Sequence, residues 1–236
     1  MALTRFNSAA DQMTQVFLHG AGLDAGSWGQ VPGLALNLPG HGGRARAASA
    51  TAELFAAALD REVPDGAVLV GYSLGGMVAM AFATAYADRL RALVLVDTPI
   101  RAPLRVISWY TPFVAPVVTR FPGVRTIGKV VGKRIESTAG QTRFRRHIEA
   151  ANPGGLADAL CVAAGFDGAA VLPQLTLPML VLCGKRSLLT GPRYRQMVSG
   201  ACPQAQVVIL DTGHHIPFDN APAMHAEITR FLKGLD

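Results

Sequence analysis

Short apolar runs separated by polar turns set the rhythm of the chain. Val16-Phe17-Leu18, Leu34 to Leu38, residues 67–72, Leu93-Val94-Leu95-Val96, Met179 to Cys183 and Val207 to Leu210 are near-continuous hydrophobic stretches of strand length. Strands apolar on both sides belong inside a sheet that is covered on both faces. Between them lie helical patterns. Residues 49–62 set Leu54, Phe55 and Leu59 among alanines and acids, behind Ser49 or Thr51 as cap. Residues 74–87 form a helix of small residues, and the last helix spans residues 221–235. Strands alternating with helices predict an α/β fold, a doubly wound, mostly parallel sheet. From Ile100 to Asp167 the strand rhythm stops, and Pro103, Pro112, Pro116, Pro122 and Pro153 punctuate short apolar helices such as 104–119 and 142–151. The expectation is a core made of residues 1–99 and 168–236, with residues 100–167 inserted as a small helical cap over the carboxyl edge of the sheet.

In such a sheet, chemistry gathers where the strands end. His19-Gly20, Ser73, Asp97, Ser187 and His214 all fall just after predicted strands. The most informative is Gly71-Tyr72-Ser73-Leu74-Gly75, which joins a buried-strand pattern to a helix. That context makes it a sharp corner with Ser73 at its tip, flanked by glycines where strand and helix pass too close for side chains. It also puts the Leu74 amide at a helix N-terminus, where an oxyanion can be held. A neutral serine hydroxyl attacks poorly unless an imidazole removes its proton, and the loop Gly213-His214-His215 offers two candidates. His41 reads as a brace of its turn and His19 as an orienter of its loop, while His147 and His225 read as helix-surface residues. Trp109, Tyr110 and Phe113 are candidates for lining a substrate pocket, against plain core packing.

With these pieces placed, the chain resembles the α/β-hydrolase superfamily over nearly its whole length. It is similar to the small capped serine esterase and C–C hydrolase branch. The resemblance rests on His19-Gly20-Ala21-Gly22 with Trp28 following, Leu38-Pro39-Gly40-His41-Gly42, Gly71-Tyr72-Ser73-Leu74-Gly75-Gly76 and Gly213-His214, in the family's order. It implies Ser73 as nucleophile, His214 rather than His215 as base, and the amides of Ala21 and Leu74 as oxyanion donors. The family places its acid after the strand that here is Met179 to Cys183, in a Gly-x-x-Asp pattern, yet this chain reads Gly184-Lys185-Arg186-Ser187. Some members carry the acid one strand earlier, where Asp97 stands. The alternatives are Asp211, three residues before His214, and a Ser-His dyad with no strong acid. The implied activity is hydrolysis of a carboxylic ester or thioester through an acyl-enzyme. C–C bond hydrolysis and a cofactor-free lyase reaction are alternatives on the same residues, and a ligand-binding or interaction module with a vestigial site is the alternative of another class. Residues 19–28 are similar to those of carrier-protein methyl ester esterases, which implies an acidic carrier protein as a partner of basic cap residues Lys133, Arg143, Arg145 and Arg146.

Composition bounds these readings. The 236 residues suit one α/β core with an insertion, and half of them are hydrophobic against 16% charged, which excludes a disordered chain. The net charge of +6 sits entirely in residues 100–167, with ten Lys/Arg against four Asp/Glu, the rest holding twelve of each. Such a face suits an anionic substrate, an acidic partner protein or a membrane surface, or is a solvated surface. Cys161, Cys183 and Cys202 lack metal-ligand spacing and read as reduced, mostly buried thiols. Residues 1–15 show no signal-peptide pattern and no apolar run is long enough to span a bilayer, so the expectation is a cytoplasmic protein with no cofactor, metal or nucleic-acid partner. The short stretch before Val16 leaves little room for the family's first hairpin, so the sheet is expected to lack one or two edge strands.

Overall fold

Six strands, β1 (Gln15–Leu18), β2 (Gly33–Leu36), β3 (Ala67–Tyr72), β4 (Leu90–Val96), β5 (Met179–Gly184) and β6 (Ala205–Leu210), form one sheet in the order β2-β1-β3-β4-β5-β6. Every pairing is parallel. The structure is a computed structural model and describes residues 13–101 and 105–235, with the side chains of residues 105–110, 118, 121, 122, 125 and 127 outside that description. Residues 1–12, the stretch too short for the family's first hairpin by the expectation above, also lie outside it.

Burial follows position in the sheet. Every residue of β3 and β5 is buried, whereas the edge strands β2 and β6 are partly open to solvent, leaving Leu34 and Ile209 exposed. Alternate side chains enter two cores, one on each face. Val16, Leu18, Leu69, Leu93, Leu95, Met179 and Val181 point one way, and Phe17, Val68, Val70, Val94, Val96, Leu180 and Leu182 the other.

The first core is closed by α1 (Ala52–Ala57) and α2 (Leu74–Ala85), in which Leu74 to Ala83 are all buried. Thr51 caps α1 by accepting from the Leu54 amide at 3.2 Å. The helix is shorter than the pattern over residues 49–62 predicts. After Ala57 the chain turns, and Arg44 donates to the freed Ala58 carbonyl.

Between β4 and β5 run α3 (Arg105–Val118), a π-type turn (Thr119–Gly123), α4 (Val124–Gly132), α5 (Thr138–Glu149), α6 (Pro153–Gly165) and α7 (Gly168–Val171). Of these, α5 begins four residues before the expected 142. Then follow α8 (Pro192–Ala201), α9 (Ile216–Asp219) and α10 (Ala221–Lys233). Phe144 and Ile148 of α5, Phe218 of α9 and Ile228 and Phe231 of α10 join the second core. Among the described residues no single helix is long and apolar enough to cross a membrane.

Candidate active site

The carboxyl ends of β1, β3, β4, β5 and β6 converge on one region, and the backbone is strained at two of them. Ser73 (φ 53°) and Asp97 (φ 40°) are the non-glycine residues with positive φ among the described residues. Such conformations persist only where the surroundings enforce them. At the Ser73 corner the enforcement is visible. A Cβ on Gly71 would stand 2.5 Å from the Gly76 amide nitrogen, and one on Gly75 would stand 2.5 Å from the Leu18 carbonyl carbon. The Ser73 amide donates to the Val96 carbonyl at 3.1 Å, and its hydroxyl caps nothing although it sits at the head of α2.

Asp97 is fully buried and its carboxylate is completely engaged. Oδ1 accepts from the Gly184 amide at 2.7 Å and the Thr190 hydroxyl at 2.5 Å, and Oδ2 accepts from the Ser187 hydroxyl and from His214 Nδ1, both at 2.6 Å. Four charge-assisted donors compensate a carboxylate that burial would otherwise penalise. Ser187, in the place where a family acid is expected, thus serves as a donor to Asp97. Asp211 lies apart, exposed and paired with Arg186 and Lys185. With Nδ1 committed to Asp97, His214 keeps Nε2 free, and it lines the same cavity as Ser73.

That cavity encloses about 160 Å³ between the β1, β3 and β6 ends and the inserted helices, with Leu23, Val131, Phe144, Ile148, Leu156 and Leu160 as its apolar wall. Phe113 stands away from it, 77% exposed on α3, so it does not line the pocket as the sequence suggested. The side chains of Trp109 and Tyr110 lie outside the described residues. Ala21 and Gly20 border the cavity, and among the described residues no turn, loop or cap hydrogen bond takes up the Ala21 or Leu74 amide.

Two buried histidines shape the loop that carries Ala21, and each also bonds across to the other's segment. His41 accepts the Gly22 amide on Nε2 at 3.2 Å and donates from Nδ1 to the Pro39 carbonyl at 2.9 Å. His19 accepts the Leu38 amide at 3.0 Å and donates to the Gly20 carbonyl. Each ring must be neutral to accept on one nitrogen. Burial holds both below the ordinary histidine range, His19 at about 3.

Sequence reasoning missed three contacts. His147 is not a surface residue, since its Nδ1 meets Asp24 Oδ2 at 3.0 Å and ties α5 to the loop after β1. His225 is half-buried, its ring 6.2 Å from that of Phe17. Arg143 is not a free surface cation: it lies 4.9 Å over the Phe218 ring, donates to the Pro217 carbonyl, and burial lowers its pKa. An Arg-x-x-x-His spacing on one helix carries no local sign of which partner each will find. Among the described residues no group of His, Cys, Asp and Glu is arranged to hold a metal. A hydroxyl on a strained corner, an imidazole oriented by a buried carboxylate, and the Ala21 amide on the cavity with the Leu74 amide next in sequence to Ser73 are parts that acyl transfer can use.

Comparison with known proteins agrees with the architecture. The profile of the alpha/beta hydrolase family matches residues 15–227. A pimeloyl-[acyl-carrier protein] methyl ester esterase from Vibrio vulnificus is 30% identical over 228 residues, covering 88% of this chain and 89% of its own. Among solved structures, a thermophilic esterase from Thermogutta terrifontis superposes with a TM-score of 0.82 at 27% identity, over 95% of this chain and 90% of its own. The enol-lactonase from Burkholderia xenovorans reaches the same TM-score of 0.82 at 20% identity, over 96% of this chain and 94% of its own, and shows the shared fold.

Proposed function

The chain belongs to the alpha/beta hydrolase family, and from that premise we propose that it hydrolyses a carboxylic ester or thioester through an acyl-enzyme on Ser73. The observation that carries this is the Asp97–His214 pair at 2.6 Å, set on the cavity that Ser73 lines.

The proposed steps use these groups in turn. The Ser73 hydroxyl attacks the ester carbonyl carbon while His214 Nε2 takes its proton, and Asp97 stabilises the imidazolium through Nδ1–H. The carbonyl oxygen, now an anion, meets the Ala21 and Leu74 amides, each worth on the order of 3 kcal/mol in the transition state. When the tetrahedral intermediate collapses, His214 returns the proton to the leaving alkoxide or thiolate. Water, deprotonated by the same nitrogen, then attacks the acyl carbon and releases Ser73 and the acid. The inserted helices act as a cap that shields this chemistry from solvent. The cavity, near 160 Å³, is smaller than the roughly 300–1,000 Å³ typical of drug-sized ligands. It therefore suits a short acyl group.

The Vibrio vulnificus relative is by name an esterase of an acyl-carrier-protein methyl ester. Exposed Lys129 and Lys133, one helical turn apart, and exposed Arg145 and Arg146 on α5 make no ion pair among the described residues. They offer an acidic carrier protein a positive landing surface on the inserted helices.

The test is p-nitrophenyl ester hydrolysis over a range of acyl lengths, with fluorophosphonate labelling alongside. The expected result is turnover and labelling in the wild type, loss of both in Ser73→Ala, and a fall of about 10³–10⁴-fold in kcat in Asp97→Asn, because the imidazole loses its orienting anion. A wild type that neither turns over esters nor takes the label would overturn the proposal.

A further inference from the structure

One buried ionisable pair on the cavity wall is left unused by these steps. Tyr72 and His215, 143 residues apart in sequence, meet at 2.8 Å between the phenol oxygen and Nδ1. The phenol has no other partner among the described residues, so its proton goes to Nδ1, and the neutral imidazole then carries its own proton on Nε2. Neutrality follows from burial and from the neighbouring His214, which together push His215 down to about 3. Tyr72 in turn is pushed well above its ordinary range by burial, so it stays a donor.

Nε2 makes no hydrogen bond among the described residues. Nor is it among the buried side-chain atoms that packing leaves unpaired, which belong to Gln15, Trp28, Arg143, Tyr194, Thr212 and Asp219. The space left for it is the cavity that His215 lines. The ring is wedged edge-on against Phe144 at 5.2 Å and His214 at 5.1 Å, so its direction is set by packing as well as by Tyr72. An otherwise apolar wall thus holds one oriented N–H close to the imidazole that handles the reacting carbonyl.

We propose that His215 is a specificity-determining residue whose Nε2–H donates to an uncharged oxygen (ether, ketone or ester carbonyl) in the acyl chain, a few bonds from the scissile carbonyl. The inference rests on the ester-hydrolase reading above. A neutral donor supplies no charge to attract a carboxylate, and the apolar wall would leave one poorly solvated, so the class is a neutral oxygen-bearing acyl group. Tyr72 is the positioning residue, because it holds the tautomer that puts the proton on Nε2.

The experiment compares matched p-nitrophenyl esters, methoxyacetyl against butanoyl and 3-methoxypropanoyl against pentanoyl, in wild type, His215→Leu, His215→Gln and Tyr72→Phe. Taking the oxygen-to-methylene ratio of kcat/KM in each protein and dividing by the wild-type ratio cancels the esters' intrinsic reactivity. For at least one chain length the ratio should fall about three- to tenfold in His215→Leu, the worth of one neutral hydrogen bond. The drop should lie mainly in KM. His215→Gln, which presents an amide N–H, should recover part of the ratio, and Tyr72→Phe should lower it by less than His215→Leu. Ratios unchanged in every variant, or losses equal for both members of each pair, would overturn the inference while leaving the hydrolase reading intact. A wild type inactive on all four esters would instead remove the premise. If His215→Leu does not fold, the His215→Gln and Tyr72→Phe ratios decide alone.

Discussion

Four donors around one buried carboxylate make Asp97 the most constrained side chain of the site, and each donor should be measurable. A hydrogen bond to a charged group is worth about 1.5–3 kcal/mol. Ser187→Ala is therefore expected to lower unfolding free energy by that amount in denaturant titrations, and to reduce kcat by slackening the hold on Asp97. The buried histidines predict the acid limit of the fold. His19 and His215 sit at about 3 in the folded protein against about 6.5 when unfolded, so below pH 6.5 the unfolded chain binds more protons. The stability they contribute is complete above pH 6.5 and drains as pH falls toward 3. The loss is on the order of 2 kcal/mol for each between pH 7 and 5, with His41 and His225, also lowered by burial, acting in the same direction. Unfolding free energies equal at pH 7 and 5 would contradict this. None of these partnerships is written locally, for Ser187 and Thr190 meet Asp97 across about ninety residues of sequence.

Among the elements, the β3–α2 corner is the one most fully specified by local sequence. Its glycines stand where backbone faces backbone, and a methyl group there cannot be absorbed by a side-chain rotation. Gly71→Ala and Gly75→Ala are each expected to cost about 3 kcal/mol, the upper range for overpacking, seen as a lowered melting temperature with activity lost together with the fold. Near-wild-type melting in either variant would mean that the corner can open. The strands were legible because buried parallel strands are apolar on both faces, and their predicted bounds differ from the observed ones by at most three residues. Helix ends were less legible: α1 stops at Ala57 because Arg44 competes for its last turn, a contact made from outside the helix. The α5 histidine looked like a surface residue because the partner that buries it, Asp24, arrives from the loop after β1.

At the scale of the whole molecule, charge is segregated. The sequence excess of +6 lies wholly in residues 100–167, yet the structure sorts those cations into different fates. Arg101 pairs with Asp167, Arg143 is drawn over Phe218, and Lys129, Lys133, Arg145 and Arg146 remain exposed. If these four receive an acidic carrier, kcat/KM for a carrier-borne ester should fall steeply as salt rises from 20 to 300 mM, because screening lengths shrink below about 10 Å over that range. Hydrolysis of a neutral p-nitrophenyl ester should change little. Charge reversal at Lys129 and Lys133 should lower the carrier rate at low salt and flatten its salt dependence. Parallel salt curves for both substrates would refute a carrier-docking role for this surface.

What the sequence determined by itself is what near neighbours decide: a buried parallel sheet from apolar runs, a sharp corner from Gly-x-Ser-x-Gly, and the placing of Ser73, Asp97 and His214 just beyond strand ends. Only the tertiary structure decided which carboxylate faces His214, that Ser187 became its donor, that His215 turned to Tyr72, and that Phe113 stayed outside the cavity. These are choices among partners far apart in the chain. They depend on where packing brings two side chains and on how much water is left between them, and no residue spacing encodes either.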